Sequence, residues 1–178
     1  MKGWGSYSAE PKTEWLEDGR KMKLLEQITY TDPAAKVWIA PAGWIVDGAS
    51  IPRAFWSVIG GPLEGQYRNA SVFHDVACDQ KSQPWKTVHR MFYNAMRCSG
   101  VNEIKAKIMY YAVYNFGPRW GLGYAVMRMF GAVARQKLPA ERLSTSDIAH
   151  ISEWIERNNP DLGEIESNPV KSMAARGN

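Results

Sequence analysis

Two histidines and an aspartate are the residues of this chain whose types and spacing could carry chemistry. His74 and Asp75 are adjacent within the otherwise apolar stretch 70–78, and His89 lies on the apolar face of the next helical stretch. Burying titratable side chains costs free energy unless hydrogen bonds, opposite charges or a metal ion compensate. The three residues therefore form either a functional site or a polar network that holds two helices together.

Two kinds of site suit these residue types. A neutral imidazole is suited to general-base work, which predicts His74 as a catalytic base. Ca²⁺ takes oxygen ligands, so Asp75, the carbonyl groups of the glycine-bearing loop 60–65 and a second carboxylate, Asp47, are candidate calcium ligands. A zinc site would instead use His74, His89 and a carboxylate such as Asp47.

The elements that must position these residues are two helices with amphipathic spacing. The first apolar face comprises Tyr67, Ala70, His74, Ala77 and Cys78, and the second comprises Trp85, Val88, His89, Phe92, Ala95 and Met96. If the two helices pack antiparallel, His74 and His89 face each other across the seam. Asp75 is rotated by about 100° around the helix axis from His74 and points to a neighbouring sector.

The remaining segments predict an α+β fold, with a small N-terminal antiparallel β-sheet followed by a mostly helical body of four to five helices. β-branched and aromatic residues predict strands within 23–31 and 36–47. Further helices are predicted from near Val101 to before Gly117, over 122–134, and after Ser144. We expect an irregular N-terminal arm over 1–22, one α+β domain over 23–157 and a flexible C-terminal tail over 158–178.

Charge and composition limit the surroundings in which the protein works. Residues 81–137 carry ten basic side chains and one acid, Glu103, a density that favours an anionic lipid surface or, on charge alone, nucleic acid. Solvated helix faces are the commoner explanation of isolated lysines and arginines. No signal peptide and no transmembrane segment are evident. The two cysteines make no disulfide framework, which favours a reducing cytoplasm.

The motif Ala70-x-x-x-His74-Asp75-x-x-Cys78, followed by a second helix with a polar residue at position 89, resembles the secretory phospholipase superfamily. The resemblance implies that His74 is the general base for a water molecule, that Asp75 is a calcium ligand, and that position 89 orients the base. That position is expected to be an aspartate, and a histidine cannot stabilise an imidazolium as a carboxylate does. His89 therefore turns the site toward a transition metal or leaves it inert.

A longer resemblance covers about residues 25–135. The block 47–52 (Asp-Gly-Ala-Ser-Ile-Pro), Phe55-Trp56, Gly60 and the His74-Asp75 pair are similar to a phage and prophage family, domain of unknown function 1353. The resemblance implies a phage-type protein located in the host cytoplasm or the virion. Two functions are open: a metal-assisted ester (lipid) hydrolase docking on anionic lipid, or a catalytically inert virion structural or accessory protein that binds other virion proteins.

Overall fold

The N-terminal part of the molecule consists of two small antiparallel sheets. The structure, a computed structural model, describes residues 3–48, 51, 55–61, 65–121 and 144–168. The first sheet has the strand order β1-β4-β5 and the second has the order β2-β3-β6. The strands are β1 (Ser6–Tyr7), β2 (Thr13–Trp15), β3 (Met22–Leu24), β4 (Ile28–Thr31), β5 (Val37–Ala40) and β6 (Ile45–Val46).

Alternating side chains explain why these strands cover a core on one face only. In β5, Trp38 and Ala40 are buried whereas Val37 and Ile39 are exposed, as the period of two in a strand requires. The register pairs Ile28 of β4 with Ala40, so buried residues of the two strands lie side by side. The buried face of this sheet packs against the helix Arg68–Gln80.

Helices make up the rest of the described fold. They are α1 (Trp56–Ile59), a short 3-10 turn (Gly65–Tyr67), α2 (Arg68–Gln80), α3 (Trp85–Cys98), α4 (Glu103–Phe116), α5 (Thr145–Asn158) and α6 (Leu162–Ser167). Lys81 ends α2 in the left-handed conformation, and the Asn102 side chain caps the start of α4 by accepting from the Ile104 N–H. Helix α3 lies between α2 and α4 and contacts both. This three-helix layer holds the candidate site.

The α+β prediction is confirmed, with two small antiparallel sheets where one was expected. Further differences lie at the two ends of the chain. Strands β1 and β2 form within residues 1–22, where an irregular arm was expected, because backbone pairing with β4 and β3 holds them although neither alternates apolar and polar residues. Helix α6 forms within the expected tail, because Ile165 is fully buried. The predicted helix over 122–134 lies outside the described residues.

A membrane span is not found among the helices of the described residues, since none is both long and apolar enough to cross a bilayer.

Candidate metal centre

The predicted juxtaposition of the two histidines is present in the structure. The left-handed turn at Lys81 reverses the chain after α2, and α3 packs back along it. This packing brings His74 Nε2 to 2.9 Å from His89 Nδ1. Both side chains are fully buried, so each imidazole must be satisfied by protein groups or by a ligand.

The backbone carbonyl of Pro118 fixes the tautomer of His89. His89 Nε2 lies 3.2 Å from the Pro118 carbonyl oxygen, which can only accept a hydrogen bond. His89 Nε2 therefore carries the proton, and in the neutral ring Nδ1 presents a lone pair toward His74. It follows that His74 Nε2 donates to His89 Nδ1. For a cation to bind between these two nitrogens, the proton of His74 must move from Nε2 to Nδ1, because a metal-binding nitrogen needs a free lone pair. Metal-binding histidines usually have the second ring nitrogen oriented in this way.

Cys78 is the third donor of the cluster, and it is not among the site residues predicted from the sequence. It follows His74 by four residues on α2, which places both side chains on one face of the helix. Cys78 Sγ lies 3.6 Å from His74 Nε2 and 3.8 Å from Nδ1. One donor atom from each of His74, Cys78 and His89 lies within 4.8 Å of the others. The i, i+4 spacing of His74 and Cys78 was the signal that could have identified this residue.

Burial sets the protonation state of the cluster. Desolvation, reinforced by the neighbouring His89, holds the pKa of His74 well below its usual value. Desolvation also lowers the pKa of His89 to about 4, although the Pro118 carbonyl opposes the shift. Burial raises the pKa of the Cys78 thiol well above its usual value. Without a cation, the three groups are therefore two neutral imidazoles and a thiol at neutral pH.

Two of the three distances within the cluster are close to those around a tetrahedral ion, and the third, between Cys78 and His89, is at most 4.8 Å. With zinc bonds of about 2.0–2.1 Å to nitrogen and about 2.3 Å to sulfur, two nitrogen ligands lie roughly 3.3 Å apart and a nitrogen and a sulfur ligand roughly 3.6 Å apart. The observed nitrogen–nitrogen distance is 2.9 Å, and the distance from Cys78 Sγ to His74 Nε2 is 3.6 Å. A shift of a few tenths of an ångström between the two rings would bring the two nitrogens to the spacing of ligands on one ion.

Asp75 and Asp47, the two predicted oxygen ligands, make contacts of a different kind. Asp75 Oδ2 accepts from the Gly48 N–H at 2.7 Å and from the Asp47 N–H at 3.2 Å. Burial, with the nearby Asp47 carboxylate, raises the pKa of Asp75 well above its usual value. Asp75 thus ties α2 to the chain after β6. Residues 62–64 of the predicted glycine loop lie outside the described residues, and the calcium site stays a prediction.

Two curated relatives are similar to this chain, both from Sinorhizobium fredii (strain NBRC 101917 / NGR234). "Uncharacterized protein y4jT" is 46% identical over 121 residues, which cover 67% of this chain and 36% of the relative. "Uncharacterized protein y4iH" is 45% identical over 100 residues, which cover 56% of this chain and 42% of the relative. The chain thus aligns with less than half of the length of either relative. Neither name states an activity.

Comparison with solved structures gives no significant match. A match to a family does exist, over residues 22–113, which is just over half of the chain. The matched segment begins at β3 and ends within α4, so it includes His74, Cys78 and His89. The resemblance noted in the sequence is therefore confirmed at the level of the family, whereas the link to phages stays a prediction. The chain belongs to the family described as "Protein of unknown function (DUF1353)".

Proposed function

We propose that this protein binds a transition-metal ion of the Zn²⁺ class at His74, Cys78 and His89. The observation that carries the proposal is the convergence of two imidazole nitrogens and one sulfur within 4.8 Å, on fully or almost fully buried side chains. Nitrogen and sulfur donors suit Zn²⁺, whereas Ca²⁺ takes oxygen ligands. The bound ion would fasten α2 to α3, which supply two donors and one donor respectively.

The protein surroundings support a metal site more strongly than a polar clasp. A clasp needs only the hydrogen bond between the two rings, yet the Cys78 sulfur also lies beside His74 at a ligand-to-ligand distance. The Pro118 carbonyl leaves His89 Nδ1 as a lone-pair donor aimed into the cluster. Phe92 packs on His74 with ring centroids 4.6 Å apart, and Trp85 packs on His89 at 5.5 Å. These rings fix both imidazole planes and lower the local dielectric, which strengthens metal–ligand interactions.

Metal uptake tests the proposal directly. Apo-protein prepared with chelator is titrated with Zn²⁺ and, separately, with Co²⁺, whose thiolate charge-transfer band reports a sulfur ligand. We expect one ion per chain in the wild type and weaker uptake without the thiolate band in Cys78→Ser. Cys98→Ser is the matched control, because Cys98 lies outside the cluster and donates to the Gly5 carbonyl, a bond that serine can also make.

The outcomes distinguish Zn²⁺ binding at His74, Cys78 and His89 from Ca²⁺ binding at Asp75 and Asp47. Saturation with Zn²⁺ in the presence of excess Ca²⁺ supports the nitrogen–sulfur site. Equal Zn²⁺ uptake by the wild type and Cys78→Ser would overturn the assignment of the sulfur ligand. Uptake of Ca²⁺ alone, lost in Asp75→Asn, would replace the proposal with the calcium site at Asp75 and Asp47.

Metal-assisted ester hydrolysis is the second candidate function. Within the described residues the cluster offers three protein donors, the number typical of catalytic zinc, where a water molecule completes the tetrahedron and ionises at a pH of about 7. The test is acyl-ester release from mixed anionic phospholipid vesicles by the wild type and His74→Ala, with Zn²⁺, with Ca²⁺ and with chelator. Metal-dependent release that disappears in the variant supports hydrolysis. Zn²⁺ binding without release in any condition would leave a structural ion and overturn the hydrolase.

A further inference from the structure

A short irregular segment, residues 117–121, covers the histidine side of the cluster, and we name it the strap. It follows α4 directly and contains neither helix nor strand. His89 beneath it is fully buried, whereas Arg119 and Gly121 of the strap are exposed. The strap therefore lies between the candidate ligand His89 and solvent.

Contacts of three strap residues, Pro118, Arg119 and Trp120, hold the strap in place. The Pro118 carbonyl accepts from His89 Nε2, and the Trp120 indole N–H donates to the Gln83 carbonyl at 2.8 Å. The Arg119 guanidinium donates to two carbonyls at the end of α4 and lies 4.9 Å from the centre of the Trp85 ring. These contacts tie the strap to Gln83 just before α3, to Trp85 at the start of α3, and to His89 itself.

The start of the strap is set by Gly117. A Cβ atom at this position would overlap the Val113 carbonyl oxygen, which accepts the Gly117 N–H at the end of α4. Only glycine, which lacks a Cβ atom, lets the chain leave α4 so close to the Val113 carbonyl. The strap's path over His89 therefore depends on a specific residue at its start and on the Trp120–Gln83 hydrogen bond near its end.

Within the described residues, the groups that contact the two imidazoles come from α2, α3 and the strap. Opening the seam between α2 and α3 would expose fully buried apolar side chains such as Val88 and Phe92. Lifting the strap requires the loss of a few hydrogen bonds and the exposure of one half-buried ring, Trp120, which packs against the core and contacts His89. The lower free-energy cost makes the strap the favoured route for an ion.

We propose that the strap is the gate of the metal site, with the Trp120–Gln83 hydrogen bond as its latch. The inference rests on the proposed metal binding at His74, Cys78 and His89. Because the Pro118 carbonyl holds the His89 proton on Nε2, the closed strap also keeps Nδ1 available as a ligand. Closing the gate thus orients the ligand and traps the ion.

Metal exchange kinetics test the gate. Zn²⁺-loaded wild type and Trp120→Phe are mixed with a chromophoric chelator, and apo-proteins are mixed with Zn²⁺ and an indicator. Trp120→Phe keeps an aromatic ring, removes the indole donor and reduces the size of the side chain. Since the variant loses one hydrogen bond of the closed state, we expect release and uptake both to accelerate by about twofold to tenfold. The equilibrium constant for Zn²⁺ should stay within about twofold.

Trp38→Phe is the matched control. Trp38 donates its indole N–H to Asp32 in the sheet, so this variant loses the same kind of hydrogen bond away from the cluster. Equal acceleration in Trp38→Phe, or an unchanged rate in Trp120→Phe, overturns the gate and leaves metal binding intact. Absence of Zn²⁺ uptake by the wild type overturns the proposed function and the gate together. Urea unfolding midpoints of both variants separate a local opening from general loss of stability.

Discussion

Asp75 illustrates how a buried carboxylate can hold the backbone in place. Its side chain is 7% exposed, and one oxygen accepts two N–H groups from the chain after β6. The other oxygen has no hydrogen-bond partner within the described residues. Burial favours the neutral acid, as the raised pKa of Asp75 shows. Asp75 thus holds the backbone at positions 47–48 by accepting its N–H groups.

Replacing Asp75 separates this role from metal binding. Asp75→Ala leaves two backbone N–H groups without an acceptor, and we expect it to lower the free energy of unfolding by about 1–3 kcal/mol. Asp75→Asn keeps an acceptor oxygen and introduces no charge, so it should retain most of the stability. Both variants should still take up Zn²⁺. Urea denaturation and Zn²⁺ titration check this, and equal destabilisation by the two substitutions would contradict the hydrogen-bonding role.

Among the helices, α5 begins with a reciprocal capping box. Ser144 Oγ accepts from the Asp147 N–H, and the Asp147 carboxylate accepts from the Ser144 N–H and hydroxyl. These hydrogen bonds hold the pKa of Asp147 below its usual value. The motif Ser-x-x-Asp before an apolar helical face predicted this helix start, and the structure confirms it.

Removal of this cap should have a modest, pH-dependent effect. We expect Ser144→Ala to reduce the free energy of unfolding by about 1 kcal/mol near pH 7. Because the folded pKa of Asp147 is below its unfolded value of 3.8, its stabilisation is present above that pH and is lost as pH falls through the folded value. The difference between wild type and variant should therefore shrink below a pH of about 4. A difference that grows on acidification would contradict this account.

Helix α6 is short, yet it is anchored by both apolar and charged contacts. Ile165 is fully buried, and Glu166 accepts from the Tyr110 hydroxyl at 2.7 Å and pairs with Arg90 at 2.7 Å. The Asp161 side chain caps the helix by accepting from the Glu164 N–H. These contacts attach residues 162–167 to α3 and α4.

Ile165→Ala should show that α6 belongs to the folded core. Truncating a fully buried isoleucine typically costs about 2–5 kcal/mol, and we expect an effect at the lower end because a short terminal helix can adjust. Thermal or urea unfolding measures the loss. A change below about 0.5 kcal/mol would mean that this segment contributes little to the folded state in solution, as the sequence alone had predicted.

At the scale of the whole molecule, a metal ion bound to His74, Cys78 and His89 would join α2 to α3. A ligand that binds only the folded state stabilises it by about 2.7 kcal/mol at a free concentration of 100 Kd. For a chain of 178 residues this corresponds to a rise in Tm of about 5–11 °C. We expect Zn²⁺ to raise the Tm of the wild type and of Cys98→Ser by such an amount. An equal rise in Cys78→Ser, measured by thermal unfolding, would show that the ion binds elsewhere.

The amino-acid sequence was enough to predict the α+β class, the main helices and the meeting of His74 with His89. Each prediction rests on the spacing of apolar residues or on a capping motif within one or two turns of helix. Antiparallel packing of the two apolar faces then brings the two histidines together. The order of strands in the two sheets could not be read in this way, because β1 and β2 are two and three residues long and pair with distant segments.

The chemical surroundings of the two histidines depend on tertiary contacts and could not be predicted from the sequence. The Pro118 carbonyl that sets the His89 tautomer lies 29 residues further along the chain, and the path of the strap after α4 brings it there. Asp75 follows His74 in sequence, yet the rotation of about 100° between neighbouring helix positions turns it to the loop after β6. Cys78 becomes a candidate ligand because α3 places His89 beside its face of α2. The sequence shows which residues could donate to a metal, but whether they come together depends on how the helices and loops pack.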